Sequence, residues 1–129
     1  MLMKMIRVAT VLVLAASLAS APTVSHARGR GVVRRGACSG AAHWKLKLKP
    51  DNGHIEVEFE VDQNVAGKVW RVRMIHNGAQ ILAGHRTTHG PSGSFTVRVL
   101  ATNAAGIDGF VARATAIGSG QTCVGRASI

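Results

Sequence analysis

The sequence predicts an all-β protein: a seven-stranded antiparallel β-sandwich preceded by a signal peptide. Three observations predict it. After the opening segment, apolar residues recur with period two over short runs, and no run carries a helical period. Turn residues break these runs at regular spacing, with Asn77-Gly78 the strongest short hairpin signal. The chain also opens with two basic residues, an apolar run and then small residues, the order of a secretory leader.

The leader comes first. Lys4 and Arg7 precede the apolar run Val8 to Leu18, which at 11 residues is too short to span a bilayer as a helix. Two cleavage points fit the small-x-small rule, after Ala21 and after Ala27. The first leaves Pro22 immediately behind the cut, so the cut after Ala27 is preferred. The mature chain is then Arg28 to Ile129, 129 − 27 = 102 residues, which suits one domain. Removing Lys4 and Arg7 from the 16 Lys and Arg leaves 14 against 6 Asp and Glu, a net charge of +8. Export makes a disulfide between the only cysteines, Cys38 and Cys123, the expected state. A lipid on Cys38 is disfavoured, because Arg35-Gly36-Ala37 lacks the apolar residue of a lipobox. No apolar tail follows the domain, so a released, extracellular protein is expected.

Residues 28–37 are basic and Gly-rich without a period, and are expected to form a flexible arm ahead of a sandwich domain over 38–129. Arg34 and Arg35 lie behind the apolar run, so they are no twin-arginine export signal.

The domain opens on a hairpin, Trp44-Lys-Leu-Lys-Leu-Lys49 and His54-Ile-Glu-Val-Glu-Phe-Glu-Val-Asp62, around Pro50-Asp-Asn-Gly53. Pairing Lys49 with His54 sets Leu48 against Ile55, Leu46 against Val57 and Trp44 against Phe59. Lysines 45, 47 and 49 then share the other face with glutamates 56, 58 and 60. The apolar face needs a second sheet to cover it. Lys68 to His76 supplies the third strand, with Trp70, Val72 and Met74 inward and Arg71 and Arg73 outward. Asn77-Gly78 returns the chain as Ala79 to Arg86, with Met74 against Ile81 and Val72 against Ala83. Gly93 to Leu100 is the fifth strand, Ile107 to Ile117 the sixth and Thr122 to Ile129 the seventh; the parity of Cys123 stays open. The expected division is strands one, two and five against three, four, six and seven.

The leader, basic arm, Cys38, the Trp-Lys-Leu-Lys-Leu-Lys-Pro-Asp hairpin and Asn-Ala-Ala-Gly-Ile-Asp-Gly-Phe-Val-Ala-Arg-Ala together resemble small secreted bacterial domains of immunoglobulin-like or fibronectin-III-like type. The resemblance covers roughly Cys38 to Ile129, and Trp70 is similar to the core Trp of immunoglobulin domains. The chain departs from that pattern in having no Tyr for a tyrosine corner, and its cysteines are not on strands two and six. The resemblance implies a fold and no chemistry.

Catalytic and metal constellations are thin. His85 and His89 are four apart but fall on a strand end and a Gly-Pro loop, so they share no helical face; His43, His54 and His76 sit at strand ends. Asp108 is the only acid outside the first hairpin, which leaves Ser92, Ser94 and His89 without a triad partner. Glu56, Glu58 and Glu60 project from one strand beside lysines, a solvated ladder and no cleft. Neither a phosphate-binding loop nor a dinucleotide fingerprint occurs. No cofactor, metal or catalytic activity is therefore expected. All five aromatics, Trp44, Phe59, Trp70, Phe95 and Phe110, take inward parity, leaving no platform for sugars or bases.

Charge gives the positive signal. The second sheet turns Arg71, Arg73 and Arg113 outward, with Arg126 and Lys68 as candidates for the same side and Leu82 and Val111 between them. Such a face suits bidentate anion contacts. The leading expectation is a secreted, monomeric, non-catalytic module that binds an acidic envelope polymer or protein through Arg71, Arg73, Arg113 and Arg126, assisted by Arg34 and Arg35. The alternatives are polyanion binding or antimicrobial action driven by the arm, and a small protease inhibitor using the loop Thr87 to Ser94. No specific nucleic-acid binding is expected.

Overall fold

A computed structural model describes residues 30–129. The leader over 1–27 and both its cleavage points lie outside the described residues. The regular structure is β throughout: β1 Val32–Ala37, β2 His43–Asp51, β3 His54–Asp62, β4 Val69–His76, β5 Ala79–Thr87, β6 Ser94–Thr102, β7 Gly109–Ala116 and β8 Thr122–Ser128. They form two four-stranded antiparallel sheets, in the orders β1-β2-β3-β6 and β5-β4-β7-β8. The expected division between sheets therefore holds, but the strands among the described residues number eight and not seven.

The eighth strand is β1, which takes up most of the stretch expected to be a flexible arm. Its Arg-Gly composition hides a pairing determined by β2. Val32 lies opposite Leu48, Arg34 opposite Leu46 and Gly36 opposite Trp44. Gly36 is required there, because a Cβ would stand 2.6 Å from the Trp44 ring. The indole also passes over Gly125 of β8, where a Cβ would come within 2.9 Å of it. Trp44 thus lies between a glycine of each sheet and joins the two edge strands. Beside this seam Cys38 and Cys123 form a disulfide with a sequence separation of 85. Cys123 is fully buried, which settles its parity as inward.

Between the sheets lie Leu46, Leu48, Ile55, Val57, Phe59 and Val61 from the first hairpin, facing Trp70, Val72, Met74, Phe110, Ala112 and Ala114. Trp70 is buried whole because its indole N–H donates to Gln63 Oε1 at 2.8 Å.

Both hairpins differ in register from expectation. In the first, the turn is the two-residue Asn52-Gly53, both with positive φ (46° and 78°), as a type I′ turn requires. Pro50 and Asp51 continue the strand, so Leu48 pairs with Val57 and not Ile55. The shift is two residues, which leaves every side chain on its expected face. In the second, Ile75 pairs with Gln80 but Met74 pairs with Leu82, leaving Ile81 as a bulge. The odd shift reverses parity along the rest of β5. Leu82 consequently packs against the core instead of sharing the arginine face, and Ala83 and His85 take the outer side. No helix among the described residues is long and apolar enough to cross a membrane.

Candidate functional site

The outer face of the second sheet is built by register. Arg71, Arg73 and Ile75 alternate outward along β4, each between inward core residues. On β7, Thr115 lies opposite Arg71, Arg113 opposite Arg73 and Val111 opposite Ile75. On β8, Arg126 lies opposite Val111 and Val124 opposite Arg113. On β5, His85 flanks Arg71 and Ala83 flanks Arg73. Arg71, Arg73, Arg113 and Arg126 are all exposed and run diagonally across this one face.

Two shallow depressions follow the diagonal. One of about 460 Å³ is lined by Arg71, Arg73, Arg113 and Thr115. Another of about 350 Å³ is lined by Arg73, Ile75, Val111, Arg113 and Arg126. The directly opposed pair Arg73 and Arg113 belongs to both. Arg73 is also oriented: its Nε donates to Gln80 Oε1 at 3.2 Å, which leaves both terminal nitrogens for other partners.

The electrostatics follow from where the carboxylates sit. The chain has six Asp and Glu. Asp51, Glu56, Glu58, Glu60 and Asp62 all lie on the outer face of the first sheet, among Arg35, Lys45, Lys47, Lys49 and Arg98. Five cations against five carboxylates leave that face balanced, with ion pairs such as Arg98 Nε to Glu58 Oε2 at 3.2 Å. The sixth, Asp108, is buried. None remains for the arginine face, and no ion pair among the described residues involves Arg71, Arg73, Arg113 or Arg126. Like charges directly opposite on neighbouring strands repel, so the Arg73–Arg113 pair is a point of unbalanced positive potential.

The other candidates fall elsewhere. Arg35 pairs with Lys45 and so joins the balanced face of the first sheet. Arg34 has the opposite parity and stands exposed at the edge of the sandwich. Lys68 precedes β4 and is exposed, its backbone N–H donated to the Thr88 hydroxyl. Arg35 is therefore separated from the arginines of β4, β7 and β8, while Arg34 lies on the edge strand beside β8.

Asp108 does more than enter a strand. It is 1% exposed, and its Oδ1 accepts from His76 Nε2 at 2.6 Å, from the Ala104 N–H at 3.1 Å and from Asn77 Nδ2 at 3.4 Å. The His76 ring stacks on Phe110, with centroids 4.4 Å apart and planes within 3°. Backbone bonds in both directions tie Asp108 to Ile129, while the Asn77 N–H donates to the Gly109 carbonyl and the Gly109 N–H to Asn77 Oδ1. This cluster binds the chain terminus and the β4–β5 turn to β7, a structural fastening at one end of the sandwich. His76 and Asn77 lie 32 and 31 positions from Asp108, so no local pattern announces their meeting.

The loop Thr87 to Ser94 is compact. Ser92 Oγ and Ser94 Oγ are 2.8 Å apart, and the His89 N–H donates to the Ser94 carbonyl at 2.9 Å. Gly93, at φ 72°, sits against the Val65 backbone, where a Cβ would come within 2.2 Å. The serines hydrogen-bond to each other, and among the described residues no hydrogen bond joins them to the His89 ring. His85 lies beside Arg71, apart from this loop. No three His, Cys, Asp or Glu among the described residues are grouped so as to hold a metal ion. Phe59, Trp70, Phe95 and Phe110 are buried, and Trp44 is half-buried in the seam. In comparisons with known proteins, no protein-family model matches the chain and no curated protein matches it.

Proposed function

We propose that the protein is a secreted, non-catalytic interaction module that holds an acidic envelope polymer or protein surface on the outer face of its second sheet. One observation carries the reading. Five of the six carboxylates lie on the opposite exterior and the sixth is buried, so four exposed arginines share a face with no acid. Arginine suits this role through its planar fork, and the apolar Ile75 and Val111 between the guanidinium groups suit contact with a partner. The Cys38–Cys123 disulfide and the leader-like opening support export, and the immunoglobulin-like or fibronectin-III-like resemblance is kept as the fold reading. The protein acts as a monomer on this reading and uses no cofactor.

The test is retention on immobilised anionic wall polymer at low salt. Arg71→Ser, Arg73→Ser and Arg113→Ser combined is expected to abolish retention, whereas Arg34→Ser with Arg35→Ser leaves most of it. Unchanged retention of the triple variant would overturn the proposal, and loss in the Arg34/Arg35 variant alone would favour binding driven by the N-terminal arginines.

A further inference from the structure

Resting on the reading above, we infer that the arginine face takes two consecutive phosphates of a linear polyol- or sugar-phosphate chain, one in each depression. Three features of the face specify this ligand class.

The first is spacing. The two depressions lie on either side of the Arg73–Arg113 pair and follow each other along the strands. Along β4 and β7 their linings are offset by two residues, roughly 6.7 Å, and the second also reaches across to Arg126 of β8. An extended polyol or sugar linker between successive phosphates spans that distance. Directly linked phosphoanhydrides fall short of it.

The second is donor geometry. The larger depression is lined by three arginines and Thr115. They approach from two strands and from both sides along them. A carboxylate offers two oxygens whose lone pairs lie in a single plane, and one fork takes up one side of it. A phosphate directs its oxygens to the corners of a tetrahedron and can accept from several directions at once. The cations here are all arginine, while every lysine on a strand lies on the balanced face of the first sheet.

The third is the floor. The second depression is bedded on Ile75 and Val111, which suits the carbon linker between phosphates. The face presents no Phe, Tyr or Trp, and its one ring is His85 beside Arg71, so it offers no platform for successive stacked bases. That favours a polyol-phosphate chain over single-stranded nucleic acid. Gln80 engages Arg73 Nε, which leaves the terminal nitrogens of Arg73 for a ligand in the depressions it lines.

The experiment is calorimetric titration of the whole mature chain with chemically defined glycerol-phosphate oligomers of one to four repeats. Polyglutamate and single-stranded DNA of matched charge are run beside them. Affinity is expected to rise about tenfold or more from one phosphate to two, because the second binds intramolecularly, and then to level off. Arg73→Lys with Arg113→Lys keeps the charge and removes the forks, and is expected to erase most of that step while leaving polyglutamate binding nearly unchanged. Polyglutamate binding as tight as the phosphate oligomers would overturn the phosphate assignment while leaving the anionic-partner proposal standing. Tighter binding of single-stranded DNA would overturn the polyol-phosphate assignment. Absence of binding to all the polyanions would remove both proposals.

Discussion

Salt dependence turns the arginine diagonal into a number. A flexible polyanion releases counterions when protein cations neutralise its charges, and log K falls with log salt by about 0.7 per charge engaged for single strands. Arg71, Arg73, Arg113 and Arg126 are exposed on one face, free of carboxylates, and each can reach a ligand lying along the diagonal. With one phosphate seated in each depression, two charges give a slope of about −1.4, so affinity falls about sevenfold between 50 and 200 mM salt. Replacing Arg71, Arg73 and Arg113 by Ser leaves Arg126 alone, a slope of about −0.7 and a fall of only about two- to threefold. The assay is calorimetric titration with a glycerol-phosphate polymer at five salt concentrations, with far-UV circular dichroism to show that each variant is folded. The comparison variant is Arg34→Ser with Arg35→Ser. Deleting Arg28 to Gly36 is a poor substitute, because it strips β1 from its pairing with β2 and uncovers Trp44. A slope that stays near its original value in the triple Ser variant, and drops in the Arg34/Arg35 variant, would refute the reasoning.

Two further expectations concern the scaffold. Replacing both Cys38 and Cys123 by Ala opens a loop with a sequence separation of 85. The chain-entropy estimate for that is about 4–5 kcal/mol, and thermal melts are expected to shift down by roughly 15 °C or more; a shift of only a few degrees would refute the estimate. Asp108→Ala leaves His76, Asn77 and the Ala104 N–H without their acceptor. At about 1 kcal/mol for each lost bond the cost is about 3 kcal/mol by urea denaturation. Arginine-face binding is expected to survive in that variant, and a cost below about 1 kcal/mol would show that the cluster is not a fastening.

Alternation made most of the strands legible. Leu46, Leu48, Val57 and Phe59 announce their face, and the division into sheets follows from covering it. Two features stayed hidden for different reasons. β1 is determined by its partner: Gly36 reads as a loop residue until Trp44 is placed over it. The bulge at Ile81 arises because the β-turn fixes the pairing of Gln80, while the core claims Leu82; no two-residue period can satisfy both. At the face itself, the arginine parities on β4 and β7 were legible from neighbouring core residues. Gln80 and Thr115 were not, since their relevance depends on which strand pairs with which. The side of Arg35 was not legible, because positive charge in sequence carries no information about which side of a sheet receives it.

The chain has two tryptophans, and their surroundings give them separate jobs as optical reporters. Trp70 is wholly buried with its N–H bonded to Gln63, so its emission tracks loss of the interior. Trp44 lies between Gly36 and Gly125 and senses whether the first and last strands remain side by side. Replacing either indole by phenylalanine would let fluorescence distinguish peeling of the N-terminal strand from melting of the whole molecule.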